Sequence, residues 1–195
     1  MHVDHWALKR LGIYGGSFDP IHYGHLILAR DACEQLRLDA LHFVPARVSP
    51  FKKRAPIASD QIRWQMLCAG IEGEPGFVAD DCELQRQSPS YTIDTVAEIR
   101  RREAQAEIYL LVGEDNVESL PQWRRFDELK SMVRFVVLDR SGAAPAHNYE
   151  LVRRKIDISS TEIRNRVASG RSIRYFVPPA VEEIIRRGNI YRERK

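Results

Sequence analysis

Short apolar runs in this chain alternate with longer amphipathic stretches, and few architectures accommodate that rhythm. The runs at 10–14, 41–45, 77–79, 108–112 and 133–138 have strand length, whereas 26–36, 61–71, 92–102, 161–168 and 179–187 space their apolar residues along one helical face. Strands alternating with helices predict an α/β fold, a Rossmann-like doubly wound parallel sheet with helices packed on it. The last two helical stretches follow the final strand and predict a small helical part at the C-terminal end, from about residue 159. A length of 195 residues fits one domain spanning 1–195. The least regular stretches, 46–59 and 141–148, read as loops over a site or on the surface.

The balance of 44% hydrophobic and 29% charged residues is that of a globular protein and excludes a disordered or fibrous one. The net charge is only +3 and the basic residues are scattered, so most of them read as solvated helix faces and nucleic acid is not an expected partner. Three cysteines, Cys33, Cys68 and Cys82, show no C-x-x-C spacing, which argues against a disulfide framework or thiolate metal site and for a reducing compartment. The first ten residues resemble no signal peptide, and no apolar run is long enough to span a bilayer. A soluble, cytoplasmic protein is therefore expected. His2 and His5 read as inert terminal residues.

In an open parallel sheet, ligands gather beyond the carboxyl ends of the strands, where the strand order reverses. The run after the first strand is Gly15-Gly16-Ser17-Phe18-Asp19-Pro20-Ile21-His22-Tyr23-Gly24-His25, which is neither G-x-G-x-x-G nor a P-loop. Its paired glycines let backbone approach a ligand closely, and the Asp19-Pro20 step turns the chain into a helix. Two imidazoles three residues apart at a helix start, where free N–H groups already favour negative charge, make a polyphosphate site. Alone, H-x-x-H reads as a helix start with two ordinary histidines, or as half of a zinc site with no third ligand nearby. The glycines and the position after a strand favour phosphate.

Late in the chain comes Ile158-Ser159-Ser160-Thr161-Glu162-Ile163-Arg164. Ser159 with Glu162 three residues on is a capping-box pattern, so a helix begins here. Three consecutive hydroxyl residues with Arg164 on the next turn add charge-assisted donors suited to pyrophosphate.

Together these segments resemble the H-x-G-H nucleotidyltransferase superfamily, in which a G-S-F-D-P-x-H-x-G-H loop and an I-S-S-T-x-I-R helix face each other across ATP. Between them, Pro89-Ser90-Tyr91-Thr92 with Asp94-Thr95, then Gly113-Glu114-Asp115, then Leu120-Pro121-Gln122-Trp123 are similar to the nicotinate mononucleotide adenylyltransferase branch. The resemblance runs from about Leu11 to Tyr191. It implies a nucleotidyltransferase-type sheet and an NAD-biosynthesis reaction in which nicotinate mononucleotide and ATP give nicotinic acid adenine dinucleotide and pyrophosphate. By the same resemblance, His22, His25, Lys52 and Arg164 are the catalytic candidates. Gly16, Ser17, Phe18, Asp115, Ser159, Ser160 and Thr161 are expected to bind ATP, and Tyr91, Thr92, Trp123 and Arg140 the mononucleotide. Without the resemblance, Trp123 reads as core, Thr92 as a helix cap and Asp115 as a turn residue.

Two positions depart from the family pattern. Ser49-Pro50-Phe51-Lys52 stands where P-P-H-K is common, so Phe51 replaces an imidazole while Lys52 or Lys53 can supply the charge. Arg140-Ser141-Gly142 stands where R-P-G is common and keeps the cation. Mg²⁺ is expected to arrive with ATP, since no carboxylate cluster provides a dedicated protein cage. The alternatives are another adenylyltransferase of the superfamily, such as a phosphopantetheine enzyme, or a nucleotide-binding regulator without turnover. The oligomeric state is open, a homodimer included.

Overall fold

Strand β1 (Arg10–Gly16) lies inside a six-stranded parallel sheet and is continuously buried from Leu11 to Tyr14, as a strand covered on both faces requires. The computed structural model describes residues 8–47, 55–87, 89–141 and 147–192. After β1 come α1 (Tyr23–Leu36), β2 (Ala40–Pro45), α2 (Asp60–Ile71), β3 (Phe77–Ala79), the single turn α3 (Cys82–Gln85) and α4 (Thr92–Arg102). The chain continues through β4 (Glu107–Gly113), a 3-10 segment (Glu114–Gln122), α5 (Phe126–Met132), β5 (Arg134–Asp139), β6 (Glu150–Arg153), α6 (Ser160–Ala168) and α7 (Pro179–Arg187).

The strand order is β3-β2-β1-β4-β5-β6 and every pairing is parallel. From β1 the chain first builds outward through β2 and β3, then returns to the other side of β1 with β4. The order therefore reverses between β1 and β4, and the crevice beyond their carboxyl ends is where a ligand is expected. Leu11 pairs with Ala40 on one side and Ile108 on the other, which brings Gly15, Gly16 and Gly113 to that end.

Side-chain alternation sends each strand to two cores. Tyr109 and Leu111 of β4, with Val136 and Leu138 of β5, join Leu28, Met66, Ile163 and Val181 on the face covered by α1, α2, α6 and α7. Ile108, Leu110 and Val112, with Phe135 and Val137, join Ile93, Val96, Ile99 and Leu129 on the face covered by α4 and α5. Each fully buried Leu or Ile contributes roughly 1.5–3 kcal/mol, so both layers are firmly held.

The predicted α/β sheet is present, and the helix at 179–187 begins with Pro179 at its first position. The short strand β6, the turn α3, the 3-10 segment and α5 were not anticipated. At four residues, β6 is too short to show a period.

Candidate active site

The loop after β1 is anchored by its own aromatic residue. Phe18, with φ of +43°, is 1% exposed and sets its ring against Tyr14, His25 and Phe43 at centroid distances of 5.5, 5.2 and 5.8 Å. Asp19 is also buried. Its carboxylate accepts the amides of Ile57 at 2.8 Å and Ala58 at 3.1 Å and the hydroxyl of Tyr191 at 2.6 Å. Beneath the loop runs Arg63 of α2, wholly buried, which donates to the Ser17 carbonyl at 2.6 Å and to Asp60 at 2.7 Å.

His22 is the N-cap of α1, in extended backbone, and its Nδ1 accepts the His25 amide at 3.3 Å. The two rings stack at 3.7 Å and 25°. A Cβ on the intervening Gly24 would lie 3.0 Å from the His22 ring and 3.1 Å from the Ile158 carbonyl, so only glycine leaves room for this stack. Burial, reinforced by the nearby positive charge of Arg140, lowers the His22 pKa to about 3. His22 is thus neutral at physiological pH, with its proton on Nε2. It offers a donor rather than the charge that the sequence pattern implied.

The second helix start, far along the chain, meets the first. Ser159 Oγ accepts the Glu162 amide at 3.1 Å, as the capping pattern predicts. Ser160 Oγ donates to the Pro20 carbonyl at 3.0 Å, and Arg164 donates from Nη1 to the Asp19 carbonyl at 2.8 Å and from Nη2 to Thr161 Oγ1 at 3.1 Å. Gly16, Ser17, Phe18, His22, His25, Asp115, Ser159, Ser160, Thr161 and Arg164 line one cleft. Arg140, expected at the mononucleotide end, lines this cleft as well. Lys52, Lys53 and Phe51 lie outside the described residues.

A second pocket holds Tyr91, Thr92 and Trp123. It shares Gly15, Gly16, Ser17, Gly113 and Asn116 with the first, so the two hollows abut along bare backbone at the end of β1 and β4. Behind Tyr91 and Thr92 lies a polar network absent from the sequence-based assignment. Thr95 Oγ1 donates to Glu83 at 2.7 Å, while Arg86 donates to Ser90 Oγ at 2.6 Å and to Thr95 Oγ1 at 3.1 Å. Burial raises the Glu83 pKa. Arg124 covers the Tyr91 ring at 4.5 Å. The sequence signal for this network, Glu83 and Arg86 three apart, is too common on helices to have singled it out. Arg63 was equally hidden, because a lone arginine in an amphipathic stretch reads as solvated.

Among the described residues, no group of three or more His, Cys, Asp or Glu side chains is placed to hold a metal ion. Nor is any helix among them long and apolar enough to cross a membrane.

Comparison with known proteins agrees with this geometry. The family described as cytidylyltransferase-like matches residues 13–166. A protein of Shouchella clausii named "Probable nicotinate-nucleotide adenylyltransferase" is 43% identical over 189 residues, covering 94% of this chain and 97% of its own. A namesake from Gemmatimonas aurantiaca is 46% identical over 198 residues, covering 94% and 93%. Among solved structures, the Plasmodium falciparum nicotinic acid mononucleotide adenylyltransferase complexed with NaAD shares the fold, with a TM-score of 0.75 at 21% identity over 94% of this chain and 97% of that one. With a match at this level along nearly its whole length, the chain belongs to the cytidylyltransferase-like family and, within it, to the nicotinate-nucleotide adenylyltransferases.

Proposed function

We propose that this protein transfers the adenylyl group of ATP to the phosphate of nicotinate mononucleotide, releasing pyrophosphate and forming nicotinic acid adenine dinucleotide. The observation that carries the reading is the backbone strip Gly15, Gly16 and Ser17, which lines both the phosphate cleft and the pocket of Tyr91, Thr92 and Trp123. Two substrates in those hollows bring their phosphates together over a wall that is mostly glycine backbone.

The attacking phosphate has a second pKa near ~6, so it is mostly dianionic at neutral pH and needs no general base. The barrier is electrostatic. Two unit charges at ~4 Å repel by about 4 kcal/mol at an effective dielectric of ~20, and several such pairs act together. Donors and cations aimed at the phosphates offset this and hold the groups in line. In this reading Arg164, Arg140 and Lys52 supply charge, His25 supplies an imidazole at the phosphates, and His22 supplies a neutral N–H. The backbone at 16–18 with Ser159, Ser160 and Thr161 supplies fixed donors. Thr92 and Trp123 hold the pyridine ring, the indole by stacking. Mg²⁺ enters as part of the ATP complex. Asp19 is already held by three donors, which leaves Asp115 as the exposed carboxylate of the cleft, in keeping with an ion coordinated chiefly by phosphates and water. A cytoplasmic location belongs to the same proposal.

The test is pyrophosphate release with nicotinate mononucleotide, nicotinamide mononucleotide and phosphopantetheine side by side. Fastest release with the first is expected. Preference for phosphopantetheine would reassign the acceptor, and no release with any of them would mark a nucleotide-binding regulator.

A further inference from the structure

The turn after α7 packs behind the cleft and meets it through Asp19. Helix α7 is fixed to α2 and the early loop through Val181, Ile185 and Ile190, which share a core with Ile21 and Met66. A Cβ on Gly70 of α2 would lie 2.9 Å from Ile21 and 3.4 Å from Val181, a measure of how closely these elements meet. Beyond the helix, Asn189 and Tyr191 take φ of +47° and +66°, a region that costs energy for residues with a Cβ. That bend buries the Tyr191 ring, 8% exposed, and sets its hydroxyl 2.6 Å from Asp19 Oδ1.

We propose that Tyr191 is a positioning residue for the triphosphate side of the cleft, acting through Asp19 on Arg164. The inference rests on the reading of ATP as the adenylyl donor. Arg164 bonds the Asp19 carbonyl at 2.8 Å, yet the same Nη1 lies only 4.0 Å from Asp19 Oδ2. The carboxylate is kept from a full ion pair with it by its three other donors, the amides of Ile57 and Ala58 and the tyrosine hydroxyl. Without that hydroxyl Asp19 Oδ1 keeps only the Ala58 amide, and the under-compensated carboxylate draws on Arg164, whose Nη1 already lies 4.0 Å from Oδ2. Arg164 then turns toward Asp19 and away from the phosphates. A ring alone, as in phenylalanine, would fill the same space, so this role resides in the hydroxyl and not in the packing. Burial and the Asp19 charge push the Tyr191 pKa up, which keeps the hydroxyl protonated and donating across the physiological range.

Titration of purified parent and Tyr191→Phe proteins with MgATP and, separately, with nicotinate mononucleotide tests this. The expected result is an ATP affinity weakened roughly ten-fold, the order of one hydrogen bond to a charged group, with the mononucleotide within about two-fold of parent. Adding Tyr191→Phe to Arg164→Lys is expected to weaken ATP little beyond Arg164→Lys alone, because both act on one contact. Unchanged ATP affinity, equal weakening of both ligands, or additive losses would overturn the proposal. If the phenylalanine variant does not fold, Asp19→Asn takes its place in the single titrations, and loss confined to ATP is again required. Dinucleotide formation by the parent is measured alongside. Its absence would remove the adenylyl-transfer reading while the contrast in ATP binding remains to be judged.

Discussion

The imidazole of His22 lies flat against that of His25, ring centres 3.7 Å apart, while its Nδ1 caps the helix by accepting the His25 amide. The first ring is thereby held neutral as a cap, and both rings line the cleft.

The neutral state of His22 has a measurable cost in acid. Its folded pKa of about 3 lies below the unfolded value near ~6.5, so between those limits the unfolded chain binds the extra proton and stability falls as pH drops. This group alone contributes a slope of up to about 1.4 kcal/mol per pH unit. In urea unfolding at pH 7 and 5, the parent is expected to lose about 2 kcal/mol more than His22→Asn, which retains a capping oxygen but does not titrate. Equal losses would show that His22 titrates as an ordinary histidine.

Gly24→Ala places a methyl 3.0 Å from the His22 ring and 3.1 Å from a backbone carbonyl, and neither can retreat without breaking the cap or shifting the segment before α6. Overpacking of this kind costs roughly 1–3 kcal/mol. The expected outcome is a lower melting temperature together with a loss of turnover larger than that from substitution on the exposed face of α1. Parent-like turnover would mean that the stacked geometry is dispensable.

Arg63→Met removes the donor from the Ser17 carbonyl at the floor of the cleft. Losing this bond together with the one to Asp60 is expected to cost roughly 1–3 kcal/mol, to be read as a lower unfolding free energy. Turnover is expected to fall as well, since Ser17 lines both pockets and its loop loses a support. An unaltered unfolding curve would show that the arginine carries no such load.

Trp123→Ala removes the indole from the second pocket. Aromatic stacking on a heterocyclic base is worth roughly 1–3 kcal/mol, so KM for the mononucleotide is expected to rise about ten-fold or more while KM for ATP stays near parent. A rise in the ATP value instead would place the indole in the wrong half of the site.

The sheet was legible because its strands and helices differ in period, and the two segments that line the cleft because glycines and hydroxyls are concentrated at helix starts. What escaped was of two kinds. The strand β6 and the turn α3 span four residues each, fewer than a pattern needs. Arg63, Asp19, Tyr191 and the Glu83, Arg86 and Thr95 network act through partners up to 172 positions away, so no local spacing reveals them. Arg140 was expected at the mononucleotide end; that it also lines the cleft of the histidines depends on where β5 lies in the sheet, which no local spacing reveals.

The two layers of core described for the sheet have a corollary for how this scaffold can diversify. Helices α1 and α6 shape the chamber with the histidines, whereas α4 and the segment ending at Trp123 shape the second chamber. A substitution in one layer can therefore reshape one chamber and leave the other intact, with the glycine-rich ends of β1 and β4 as their common wall.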